Sequence, residues 1–140
     1  MRSFIIRRLL LFVTCFAIGC SGVSVTKHPQ SDLNIHAVCM AYMDSIQPNG
    51  KGPLDIEPIK KALRDAGKNP EETLISPNDG LAYGIVWGLN PQRDNSKIMV
   101  FEKKGKDGKR QVVDMRRNPF YLTEEEFKKA PFPNGFDPEK

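Results

Sequence analysis

The chain has 140 residues, 39% of them hydrophobic and 27% charged, and 21 Lys+Arg against 17 Asp+Glu give a formal charge of +4. Three of those arginines, Arg2, Arg7 and Arg8, stand in an acid-free leader, so the remainder carries only +1. That near-neutral balance removes the composition argument for a nucleic-acid partner.

Arg2, Arg7 and Arg8 form a positive n-region, and Leu9 to Ile18 is an uncharged h-region. The run has signal-peptide length and falls short of the roughly 20 apolar residues a spanning helix needs. Ala17-Ile18-Gly19-Cys20 resembles the lipobox of bacterial lipoproteins, with Ala17 where that motif usually has Leu. The resemblance implies that the Cys20 sulfur takes a diacylglycerol, that the Gly19–Cys20 bond is cut, and that the new amino terminus is acylated. Two other readings stand beside it: an ordinary signal peptide cut nearby that leaves Cys20 as a free thiol, and an uncleaved anchor. The Arg7-Arg8 pair also has the form of a twin-arginine signal, although plain n-region charge accounts for it.

The expected division is a signal peptide over 1–19, a lipidated tether over 20–31, one α+β domain over 32–130 and a polar tail over 131–140. Cutting before Cys20 leaves 121 of the 140 residues, enough for one modest core. Ser21 to Ser31 is polar, aperiodic and interrupted by Pro29. Such a tether reaches at most about 36 Å, so the domain stays near the bilayer. Ser21 stands where inner-membrane lipoproteins carry a retention Asp, which favours the outer membrane. Of the three cysteines only Cys39 remains once Cys15 leaves and Cys20 is lipidated, so no internal disulfide forms. Cys39 lies in an apolar helical stripe and reads as a small buried hydrophobe.

Asp32 is placed to cap a helix running to about Ile46, before the breaker Gln47-Pro48-Asn49-Gly50. Ile35, Val38, Cys39, Tyr42 and Ile46 recur at steps of three and four, a stripe wide enough to lie on a sheet. Glu57 to Ala66 reads as a shorter helix with Ile56, Ile59 and Leu63 inward and Gly67 at its C-terminal cap. Asn69-Pro70-Glu71-Glu72 starts one more helical turn.

From Ala82 the period falls to two, and strands are expected over Ala82 to Gly88, Lys97 to Glu102, Arg110 to Met115 and Phe120 to Leu122. In the first, Tyr83, Ile85 and Trp87 share a face expected to pack on the long helix. The small residues Ala82, Gly84, Val86 and Gly88 on the other face leave room for a helix backbone. Asp107-Gly108 is a type I′ hairpin pair. Thr123-Glu124-Glu125-Glu126 is a capping box ahead of a helix ending near Ala130. Phe132 and Phe136 in the tail either dock on the sheet edge or fray.

No Gly-x-Ser-x-Gly, Cys-x-x-Cys or His-Glu-x-x-His motif is present, so neither a catalytic nor a metal-ligand set is assigned and no cofactor is expected. His28 is a tether residue and His36 a helix-border residue without neighbours at ligand spacing. One charge cluster stands out: Lys103, Lys104, Lys106, Lys109 and Arg110 surround the hairpin tip. It reads either as a solvated, aggregation-resistant edge or as a contact for an anionic surface, lipid head groups or wall phosphates, within tether reach.

Ala41-Tyr42, Gly52-Pro53, Tyr83-x-x-x-Trp87, Val100-Phe101-Glu102-Lys103 and above all Thr123-x-x-Glu126-Phe127-x-x-Ala130-Pro131 carry a resemblance over about Leu33 to Pro131. In these residues the chain resembles short planctomycete envelope lipoproteins that are similar to the globular part of prepilin-type, type II secretion pseudopilin-like proteins. Those relatives commonly have Met-Ala-Asp-Gly-Ser-Val before the Thr. This chain has Met115-Arg116-Arg117-Asn118-Pro119-Phe120, so the last hairpin is not fixed by the resemblance. A lipobox replaces the prepilin methylated Phe and assembly helix, and filament assembly does not carry over. The resemblance implies a long N-terminal helix and a shorter one on a three- to four-stranded antiparallel sheet, with a short C-terminal helix. The expected role is a lipid-anchored, non-catalytic envelope binding or structural module whose partners are the membrane, through its lipid, and an envelope protein or the cell wall. The alternatives are an accessory subunit of a secretion or pilin-like machine and a small envelope hydrolase.

Overall fold

Four strands, β1 (Gly84–Ile85), β2 (Ile98–Phe101), β3 (Lys109–Asp114) and β4 (Pro119–Thr123), form an antiparallel meander in the order β1-β2-β3-β4. Helices α1 (Gln30–Asp44), α2 (Glu57–Asp65) and α3 (Pro70–Thr73) precede the sheet, and α4 (Glu124–Lys128) follows it. The structure, a computed structural model, describes residues 29–140 and is α+β. The signal peptide, the Gly19–Cys20 bond and the tether through His28 lie outside the described residues.

Side chains alternate across a strand, so register assigns them to faces. Phe101 pairs with Val112, and Val112 with Phe120, on one face, while Val100 pairs with Val113 and Ile85 on the other. Helix α1 covers the second face, packing on β2 and β3 with α2 beside it. Four of its five stripe residues are buried as the spacing predicts, Ile35, Val38, Cys39 and Tyr42 all at 0% exposure, joined by Ile59 and Leu63 of α2, whereas Ile46 falls past the helix end at Asp44 and is only partly buried. Tyr42 fixes this layer to the sheet end, its hydroxyl donating to Val86 O at 3.0 Å and accepting from Leu89 N at 3.1 Å.

The opposite face is covered by α4 and the tail. Phe101 meets Phe127, Phe132 and Phe136 with ring centroids 5.4, 5.5 and 6.2 Å apart. The tail therefore docks, and it does so on the face of the sheet. Ile98 N donates to Pro131 O and Lys97 Nζ to Phe132 O, at 3.2 Å each. The capping box forms as predicted: Thr123 Oγ1 accepts from Glu126 N, and Glu126 Oε2 accepts from Thr123 N at 2.8 Å.

Three local expectations are corrected. Helix α1 starts at Gln30 after Pro29, which offers no side-chain cap, and Asp32 sits inside the first turn. Its carboxylate bonds across to the sheet instead of to the helix backbone. The first strand contracts to Gly84–Ile85 because its flanks pair elsewhere: Ala82 bridges Ile75, Tyr83 N donates to Leu74 O, and Gly88 N donates to Pro53 O. Trp87 thus lies beyond the strand and is 38% exposed, while Tyr83 and Ile85 are buried as predicted. Gly84 does permit a close approach, but by the Phe101 ring, which occupies the space a Cβ would need, and not by a helix backbone.

Candidate anionic-surface contact

Strands β2 and β3 join through Lys106-Asp107-Gly108-Lys109, where Lys106 and Lys109 exchange N–H···O bonds of 2.9 and 3.0 Å. Asp107 and Gly108 have φ of 53° and 72°, the two positive values a type I′ turn requires. The stem of this hairpin is tied to the preceding loop by Asp79, whose carboxylate accepts from Lys104 N at 2.8 Å, Gly105 N at 2.9 Å and Leu81 N at 3.0 Å. Partial burial works against that charge, but these backbone donors outweigh it and hold the carboxyl below its ordinary range.

The five predicted cations separate into two groups. Lys103, Lys104, Lys106 and Lys109 are exposed around the tip. Arg110 is not a surface contact, being 5% exposed. Its Nε and Nη2 donate to Glu124 Oε1 and Oε2 at 2.7 and 2.6 Å, a bidentate fork, and its guanidinium carbon lies 4.2 Å from the Phe127 ring centroid. Nη1 lies 3.1 Å from Glu139 Oε1, an ion pair by distance without hydrogen-bond alignment. The Glu124 hydrogen bonds push the guanidinium up and pull the Glu124 carboxyl down.

Lys106, Asp107 and Lys109 share a shallow depression with Pro29, Ser31, Asn78 and Tyr121. The basic tip therefore stands beside Pro29, where the described chain begins. Gly19 and Cys20, the predicted cleavage and lipidation residues, lie outside the described residues.

Two polar groups escape sequence reasoning. Glu102, which directly precedes the tip lysines Lys103 and Lys104, is fully buried. Its Oε1 accepts from Ser76 Oγ at 2.6 Å and Asn78 Nδ2 at 2.8 Å, and its Oε2 accepts from Gln111 N at 2.7 Å. Gln111, 1% exposed, donates from Nε2 to Asp32 Oδ1 at 2.6 Å, and Tyr121 Oη donates to the same oxygen at 3.0 Å. A glutamine inside the β3 alternation was the one available signal. Among the described residues no His, Cys, Asp and Glu cluster is arranged to hold a metal ion, and no helix is long and apolar enough to cross a membrane. Compared with known proteins, the chain matches no family, no curated protein and no solved structure.

Proposed function

We propose that this protein is a lipid-anchored, non-catalytic envelope module that rests its basic hairpin tip on an anionic surface. The observation that carries the reading is the shared depression of Pro29, Lys106 and Lys109, which sets the exposed lysines next to the chain's entry into the domain. A tether leading from a lipidated Cys20 to Pro29 brings that end of the domain toward the bilayer first. Four cations there attract anionic head groups by about 1 kcal/mol each, an attraction that salt screens within about 8 to 10 Å. A non-catalytic role is supported by the way reactive groups are taken up in packing. Both Glu102 oxygens accept hydrogen bonds, Ser76 Oγ is spent on Glu102, and burial pushes the Cys39 thiol up to about 11.

The helix-on-meander arrangement supports a second reading, an accessory subunit of a secretion or pilin-like machine.

The test is amine labelling of the full-length mature protein in neutral and in anionic vesicles, read by mass spectrometry. Lys103, Lys104, Lys106 and Lys109 should be protected in anionic vesicles and released by salt, while the exposed Lys51, Lys61 and Lys68 react equally in both. The same spectra should give a lipid-modified N-terminal Cys20. Equal labelling of all lysines refutes the contact, and an unmodified mature N-terminus refutes the anchor.

A further inference from the structure

Strand β3 buries a glutamine where the following positions bury valines. Gln111 helps to line a groove of about 540 Å³ between the first turns of α1 and strand β4, with Asp32, Leu33, His36, Pro119 and Tyr121. A carboxylate only accepts, so the Gln111 Nε2···Asp32 Oδ1 bond of 2.6 Å sets the amide orientation with its NH2 toward Asp32. That leaves Gln111 Oε1 buried with no donor among the described residues. Asp32 Oδ1 already accepts twice, while Oδ2 accepts from none of the described residues. No described Lys or Arg stands within ion-pair distance of this carboxylate. Apart from His36, no side chain lining the groove can carry a positive charge.

Its walls suit a cation on an alkyl stem. Leu33 and Tyr121 are 48% and 51% exposed, large apolar surfaces left open to solvent at the groove's rim. Methylenes can lie along Leu33 and Pro119 while a planar charged group stacks on the Tyr121 ring. We propose that this groove binds the guanidinium of an arginine side chain from a partner protein. The guanidinium supplies N–H donors to Asp32 Oδ2 in a rigid planar fork, while Gln111 Oε1 stays enclosed beneath the groove. An ammonium brings the charge without the plane and binds more weakly. The groove adjoins the lysine tip: the two depressions share Tyr121, and one presents cations while the other presents the Asp32 carboxylate.

The test titrates the full chain, 15N-labelled in non-ionic detergent, with acetyl-Gly-Arg-Gly-amide and follows amide shifts. Saturable shifts should appear at Leu33, Tyr121 and the Gln111 side-chain NH2. The lysine analogue should bind more weakly, and the citrulline analogue, equal in shape but uncharged, should leave these signals unmoved. Asp32→Asn should weaken arginine-peptide binding about tenfold or more. Because that change touches the start of α1, Tyr121→Ala on the exposed strand serves as a second variant and should weaken binding about threefold with the rest of the spectrum preserved. An equal response to the arginine and citrulline peptides overturns the proposal, as does unchanged affinity in both variants or the absence of shifts at millimolar peptide.

Discussion

The two faces of the sheet are covered by different means. On one, α1 and α2 lay down a periodic apolar stripe, and the buried Tyr42 Oη ties the helices to the backbone at Val86 and Leu89. On the other, one short helix and an irregular tail contribute a stack of rings, Phe127, Phe132 and Phe136 on Phe101, with Arg110 set between its glutamates at the edge. A regular layer distributes its stability over many similar contacts. An irregular one concentrates it in a few anchors, and the two should fail under different insults.

The largest effect is expected from removing the central anchor of the ring layer. Phe127 is fully buried and touches both Phe101 and Phe132, so Phe127→Ala should cost about 3 to 5 kcal/mol in chemical denaturation. A loss below about 1 kcal/mol would mean that the tail layer contributes little and that the helix face alone holds the fold.

Opposite pH limbs sharpen the comparison. On the helix face, burial pushes the Tyr42 hydroxyl up to about 12 from an ordinary 10.0. An acid whose folded value is raised gives stability that is complete below the unfolded value and is lost as pH climbs toward the folded one, so this face weakens in alkali. On the tail face, the Arg110 hydrogen bond depresses Glu124 below its ordinary 4.5. A depressed carboxyl gives stability that is present above the unfolded value and is lost as pH falls through the folded one, so this face weakens in acid. Glu124 is 44% exposed, and solvent screening makes its share small. Denaturant midpoints measured across pH should show Tyr42→Phe flattening only the alkaline limb and Glu124→Gln only the acid limb. Tyr42→Phe should also lower stability at neutral pH by about 1 to 3 kcal/mol, since Leu89 N–H loses its acceptor. If both variants flatten the same limb, the two layers are not separable.

A smaller loss is expected at Trp87, which lies in neither layer's centre. At 38% exposure, beside Phe136 and Lys103 at the sheet edge, it should cost about 1 to 2 kcal/mol on Trp87→Ala. The folded protein should emit between the buried and the solvent-exposed tryptophan maxima. A strongly blue-shifted emission would place the indole in the core.

What was legible in the sequence follows the same divide. Helix α2, the capping box at Thr123 and Glu126, and the Asp107-Gly108 hairpin were read to within a residue or two, because each rests on chemistry between near neighbours. Tyr83 and Ile85 were placed correctly by alternation, and Trp87 was not, since alternation carries no information about where a strand stops pairing. Arg110 reads as surface charge until Glu124, 14 residues on, is known to meet it. The Asp32–Gln111 bond spans 79 positions, and a capping role was the nearest explanation for that acid. The last hairpin departs from Asp-Gly chemistry altogether. Arg117 takes the left-handed conformation at φ 68°, and the Asp114 carboxylate holds the turn by accepting from Arg116 N and Asn118 N at 2.9 and 3.1 Å.

Cys39 gives the helix face a clock. Its thiol is wholly enclosed, and only the thiolate, which burial disfavours there, is nucleophilic. An alkylating reagent therefore meets this sulfur only during excursions in which α1 lifts from the strands beneath it, and the reaction rate at fixed pH counts those excursions. Breathing of one layer can in this way be timed while the ring layer on the far side of the sheet stays silent.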